Sequence, residues 1–288
     1  MSAIYRKELK IYFSGALGFV IVALMLAFSG VFFTFTNLAQ GYTDFLYTLD
    51  PMKLVLILAV PLLTMRTIAE ERHSRTDQLL YSLPIRLSHV VLGKYFAMLT
   101  VLLVPTLVMG LYPLLMSYFG ELSLASAYTA LFGYFLMSAA LIALCTLISS
   151  LMENQILAGG VSLVVCFVGW FLQSYSSGIL PESAVASFLI CAAACLLFGV
   201  LVWRLSRNLT VGLLAATVTL IPTLVLFLIQ KSLFERLVPE FLETVNLFSR
   251  VVGFFYGYFD VKGLVFYLTC IFVCLFLTVE AMDARRKI

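Results

Sequence analysis

The sequence predicts an all-α integral membrane protein with about eight transmembrane helices. Three observations carry that expectation. Of the 288 residues, 62% are hydrophobic and 11% charged, whereas soluble domains carry roughly 25% charged residues. The apolar residues gather into stretches near 17–38, 54–69, 93–118, 124–151, 156–175, 184–203, 209–229 and 263–281. Most of these approach the roughly 20 residues a helix needs to cross a bilayer. Threading the chain through those stretches puts thirteen of the eighteen Lys and Arg residues on one face: Arg6, Lys7, Lys10, Arg66, Arg72, Arg75, Arg86, Lys94, Arg204, Arg207, Arg285, Arg286 and Lys287. The other face collects Lys53, Lys231, Arg236, Arg250 and Lys262, and the acids split seven against eight. Topology follows basic residues rather than net charge, so the basic face is expected to be cytoplasmic, with both termini inside a plasma (inner) membrane.

Residues 4–16 read as an interfacial helix. Tyr5, Leu9, Tyr12, Phe13 and Ala16 share one face, and Arg6, Lys7 and Lys10 lie elsewhere on the wheel, suited to anionic headgroups. No cleavable signal peptide is expected, since residues 1–13 are polar. The second span has the shortest purely apolar run. It is retained because Asp50-Pro51 reads as an N-cap with Pro at the first helical position, and because without it the basic bias inverts for every later loop.

The loop from Arg66 to Lys94 is the longest and most charged on the basic face. Thr76 or Asp77 can cap a short helix bearing Leu79, Leu80 and Leu83, which Pro84 stops. So short a helix is marginal in water and needs a partner surface or the membrane to hold it. On the other face, residues 230–260 read as one or two amphipathic helices broken at Pro239, followed by Gly253-x-x-x-Gly257 among Phe and Tyr. Prolines 61, 105, 113 and 222 fall within spans, where each removes a backbone hydrogen bond and can kink its helix.

The chemistry that is absent narrows the function. No Asp, Glu, Lys, Arg or His occurs in 17–38, 54–65, 95–118, 124–151, 156–175, 184–203, 209–229 or 263–279. Ion-driven transporters and intramembrane hydrolases need such groups at depth. No GxxxxGK[ST] sequence is present, so no P-loop binds nucleotide here. The cysteines, at 145, 166, 191, 195, 270 and 274, lie within apolar segments and read as packing residues, not metal ligands. The charge of +3 is spread along one membrane face and gives no case for a nucleic-acid partner.

Several segments resemble permeases of the ABC type-2 exporter family, in its gliding-motility (GldF-like) branch. They are Pro61-Leu62-Leu63-Thr64-Met65-Arg66, Ala69-Glu70-Glu71-Arg72, Ser74, Thr76-Asp77-Gln78-Leu79-Leu80, Ser82-Leu83-Pro84 and Leu92-Gly93-Lys94-Tyr95. Arg6-Lys7-Glu8-Leu9, Glu153-Asn154-Gln155 and the end from Phe248 through Phe259-Asp260 to Thr278-Val279-Glu280 also fit. The resemblance implies one permease domain over 1–288, with a six-span core to which 184–229 adds two spans. It implies a coupling helix near Thr76–Leu83 that docks into a separate ABC ATPase. Arg66, Glu70, Glu71, Arg72 and Arg75 would stand on the stalk above it, and Thr76, Asp77, Leu79, Leu80 and Leu83 at the tip.

On the same resemblance the chain is not itself an enzyme. ATP and Mg would be cofactors of the partner ATPase alone, and this chain would hold none. A second permease copy or a paralogue would complete the transmembrane half, and a GldG-like auxiliary protein would accompany it. The rival readings are an ion-coupled secondary transporter and a non-transporting anchor or sensor of a cell-envelope complex.

Overall fold

A computed structural model of the chain describes residues 1–73, 86–119, 123–176, 184–206 and 209–286. Every regular element among the described residues is helical. The chain divides into two units, Met1–Gly169 with Arg250–Ile288, and Trp170–Ser249. By length and composition, six described helices qualify as membrane spans: Ala16–Ala39, Leu46–Arg72, Leu87–Tyr118, Leu124–Leu151, Gln155–Ser174 and Val261–Ala284. The chain is a multi-pass membrane protein.

The first unit opens with α1 (Ser2–Ser14), which turns at Gly15 into α2 (Ala16–Phe32). A β-carbon on Gly18 would fall 2.5 Å from the Tyr12 carbonyl oxygen, so this corner needs glycine. α1 is helical as expected. Glu8 and Tyr12 are its buried residues, and α1 packs on α5 (Leu87–Met109) and α2. Of the expected stripe, Tyr12 is buried, Tyr5, Leu9 and Phe13 are half-buried and Ala16 is exposed. Gly93 of α5 admits Ile4, and the Tyr5 and Thr100 hydroxyls pair at 3.0 Å.

α2 runs into a π-helical segment, Phe33–Ala39. There Asn37 Nδ2 donates to the carbonyls of Tyr42 (2.7 Å) and Asp44 (3.1 Å), and Thr48 donates to Asn37 Oδ1. This side chain organises the turn through Gly41 (φ +74°) into α3 (Leu46–Thr64). α3 therefore begins earlier than Asp50-Pro51 predicts, and Pro51 lies inside the helix. Lys53, expected in an outer connection, is buried in α3. Asp50 pairs with it at 2.5 Å, and its ammonium stands 5.1 Å from the Phe255 ring centroid. One turn of helix brings i and i+3 together, so a charge that reads as loop in sequence is neutralised within a helix.

α4 (Ala69–His73) follows. After α5 the chain breaks at Gly110 and resumes as α6 (Tyr112–Phe119). α7 (Leu124–Leu151), capped by Ser123 Oγ accepting from the Ser126 N–H, is the hub of this unit. It packs against α3, α5, α13 (Val252–Phe255) and α14 (Val261–Arg286). Buried Ala127, Ala130, Ala139, Ala140 and Ala143 allow these approaches. Phe254 is fully buried between Gly133 and Gly263, where β-carbons would come within 2.3 and 2.8 Å of its side chain. α8 (Gln155–Ser176) meets its neighbours where Cys166 Sγ lies 3.6 Å from Cys145 Sγ. The thiols pack against each other, and no metal-holding cluster occurs among the described residues.

In the second unit, α9 (Ala184–Ser206) and α10 (Leu209–Ile229) pack along each other. α10 bends by 105° into α11 (Lys231–Val245), so the two count as one broken span at most. Phe188, Phe227 and Phe234 join the three helices, with ring centroids 4.6 to 6.3 Å apart. The break expected at Pro239 does not occur. α11 runs continuously to Val245 and stops at Asn246, whose side-chain oxygen accepts from the Phe248 N–H at 3.0 Å. That local bond competes with helix continuation. α12 (Leu247–Arg250) is a short turn beyond it.

Gly253-x-x-x-Gly257 is not a helix-contact ridge. Gly257 is a turn residue at φ +80°, and a β-carbon there would lie 2.2 Å from Ser126 Oγ. The packing of Phe254 makes a direct test possible. Gly133→Ala should destabilise the protein by about 1–3 kcal/mol through overpacking. Gly160→Ala, with nothing within 4 Å of the new methyl, should be neutral or stabilise by about 0.5–1 kcal/mol, because the unfolded chain has fewer backbone conformations to lose. Thermal unfolding of the detergent-purified protein reads both; equal midpoints for the two variants would contradict this packing.

Candidate functional site

The polar centre of the first unit lies where α1, the end of α3, α4 and the start of α5 meet. Lys94 is 2% exposed. Its ammonium donates to Glu8 Oε1 at 3.0 Å, to Glu71 Oε1 at 2.7 Å and to the Thr67 carbonyl at 2.8 Å. A lysine has three donors, and all three are used. Glu8 comes from α1, Glu71 from α4 and Lys94 from the second turn of α5, so one ammonium fixes three elements at once.

Tyr12, one turn beyond Glu8, donates to the Leu63 carbonyl at 3.2 Å and ties α1 to α3. Burial pushes its phenol well above the ordinary tyrosine value, and Glu8, Glu71 and Glu70 raise it further. Tyr12 is therefore a neutral donor and takes no part in proton exchange near neutrality.

Next to Glu71, Arg72 turns the other way. Its Nη1 donates to the Ser150 carbonyl and, at 3.4 Å, to the Met152 carbonyl. The Ala69 N–H donates to Ser149 Oγ at 3.3 Å. The last carbonyls of a helix have no partner within it, and a cation suits that end of the dipole. Arg72 thus caps α7 and locks α4 to it.

Of the residues singled out in the sequence, Arg66 and Glu70 are exposed beside this centre, while Glu71 and Arg72 are engaged within the chain. Arg75, Thr76, Asp77, Leu79, Leu80 and Leu83 lie outside the described residues. Sequence reasoning gave no role to Glu8 or to the Lys94 tripod. A signal was present: Glu8 stands in the same stripe as Tyr5 and Tyr12, at i+3 and i+7, the one acid in a helix otherwise cationic. An acid on a face that packs requires a buried cation.

A family model described as ABC-2 family transporter protein matches residues 34–261, most of the chain. The chain belongs to the ABC-2 transporter family. No individual curated protein matches it. ABC-2 members are permease components of ABC transporters, typically non-catalytic, and the family implies an ATPase partner. The α1–α3–α4–α5 centre is then the framework from which the connection between the second and third spans leaves and to which it returns.

If Lys94 organises that framework, Lys94→Ala should destabilise the protein by about 3–5 kcal/mol, because two carboxylates lose a buried partner. Glu8→Gln, which keeps an acceptor for the ammonium, should cost less. Partial restoration in the double variant Lys94→Met/Glu8→Leu, which removes the more deeply buried of the two carboxylates, would show that the single loss comes from stranded charge. Thermal unfolding checks the order; a Lys94→Ala midpoint equal to wild type would show that the tripod holds nothing.

Proposed function

We propose that this chain is the permease subunit of an ABC exporter, of GldF-like type, in which a separate ATPase drives substrate movement through the connection between the second and third spans. The observation that carries this reading is the bracing at the roots of that connection. Glu71 and Arg72 on its outgoing side and Lys94 on its returning side are fixed to α1 and α7. A push on the loop would therefore reach four helices as a rigid-body displacement. In this reading Arg66, Glu70 and Arg75 orient the ATPase, Thr76 and Asp77 start the coupling helix, and Leu79, Leu80 and Leu83 anchor it. Glu71 and Arg72 transmit force from within. ATP and Mg stay on the partner.

We further propose eight spans, with α9 and α10 each crossing the membrane, both termini cytoplasmic and the chain in the plasma (inner) membrane. A second copy or a paralogue completes the path, and a GldG-like protein is a candidate companion. The thirteen-to-five division of basic residues supports the orientation. Cysteines placed at Glu121, Glu182 and Glu243 should label from outside, and at Arg75 and Glu153 from inside. Labelling of the Glu182 position from the cytoplasm would overturn the eight-span reading.

The coupling role is tested at the leucines. Burying each against a partner is worth roughly 1.5–3 kcal/mol. Leu79→Asp or Leu83→Asp should release or uncouple the co-expressed ATPase while membrane insertion stays normal. Arg75→Ala should change little, since an exposed ion pair contributes about 1 kcal/mol or less. Co-purification yield and stimulated ATPase rate are the readouts. Wild-type values in both Asp variants would remove the coupling helix from this segment and favour the anchor reading.

A further inference from the structure

Beside the Lys94 tripod, α1 and the end of α3 enclose a cavity of about 410 Å³. Its floor has no hydrogen-bond donor left to offer. The three Lys94 donors go to Glu8, Glu71 and Thr67, and the Tyr12 hydroxyl goes to Leu63. Its walls differ. Lys7 and Arg66 line the cavity, are exposed, and form no ion pair among the described residues. Ile11, 52% exposed, and Leu17 add apolar surface beside them.

The cavity is bounded by the residues that precede the span beginning at Ala16, by the Arg72 end of the second span and by the Leu87 end of the third. That is headgroup depth, whichever side of the membrane this face occupies. Its lining carries three cations, Lys7, Arg66 and Lys94, and three carboxylates, Glu8, Glu70 and Glu71, so its formal charge is zero.

We propose that this cavity holds the headgroup of one zwitterionic glycerophospholipid. Two cations lining one cavity, without an ion pair among the described residues, suit a phosphodiester, which accepts charge-assisted hydrogen bonds from both ammonium and guanidinium. The carboxylates lining the same cavity suit the headgroup ammonium. The acyl chains run along Ile11 and Leu17 toward the bilayer. A headgroup of net charge would leave one sign in excess in a partly desolvated site, so phosphatidylethanolamine is favoured over phosphatidylglycerol of the same acyl length. The proposal needs only that α1 lies at a membrane surface, and its test uses the chain without an ATPase partner, so it is separable from the role proposed above for Arg66.

Native mass spectrometry of the detergent-purified chain, supplied with either lipid, tests it. One phosphatidylethanolamine per chain should be retained in preference to phosphatidylglycerol. The double variant Lys7→Ala/Arg66→Ala should weaken its retention by about tenfold or more, since two charge-assisted contacts are lost, at an unchanged thermal midpoint. Lys7→Arg/Arg66→Lys should retain it. Lys10→Ala, an exposed α1 cation away from the cavity, should leave it unchanged. Inorganic phosphate in excess should not displace the lipid. Equal or tighter retention of phosphatidylglycerol, equal loss in Lys10→Ala, or full displacement by inorganic phosphate would each overturn the proposal, the last by making this a soluble-anion site.

Discussion

One ammonium group governs the end of the bundle from which the long connection departs. Lys94 sits between carboxylates 86 and 23 residues away in sequence, and its third hydrogen goes to a main-chain carbonyl. Placing a lysine out of water is expensive unless every donor is met and the opposite charge is close. Both conditions hold here, and they hold only when α1, α4 and α5 are all in place. The packing of α1 on α5, the direction in which α3 hands over to α4, and the Tyr12 bond to Leu63 each follow from meeting them together. Arg72 extends the arrangement to α7 by occupying carbonyls that the helix leaves unsatisfied.

At the far end of α3 the same problem is solved on a smaller scale. Asp50 and Lys53 neutralise each other within one turn, with the Phe255 ring beside the ammonium. Asn37 satisfies backbone carbonyls of the turn that precedes α3. Polar work is thus concentrated at the two ends, and the middle of the first unit is held by close approach, with alanines on α7 and glycines around Phe254. In a bilayer the middle has no hydrophobic drive to exploit, because lipid tails are as apolar as the side chains. Fit of surfaces takes over there.

What was legible in the sequence follows from this division. Long apolar runs show as runs, so the helices and their order were readable, and the permease resemblance of the 61–95 segment placed the family. Pairings that depend on the fold were not readable. Lys53 looked like a loop charge because nothing in a linear reading shows Phe255 beside it. Glu8 looked like one polar residue in a basic helix because its partner lies 86 residues on. Pro239 looked like a stop, yet the helix ends at Asn246, where a side chain offers the backbone a competing bond. The α1 stripe was found as a stripe, but periodicity gives the presence of an apolar face and not what covers it.

The roots of the long connection carry one more implication. Residues 74–85 leave from Glu71-Arg72 and lead back toward Lys94, and both attachment points are settled by bonds made inside the first unit. The intervening segment is therefore mounted on a socket whose shape does not depend on what is mounted. On the function proposed above, such a mounting would separate recognition of the ATPase from transmission. A change within 74–85 would then alter what is recognised without disturbing the packing of the four helices beneath it.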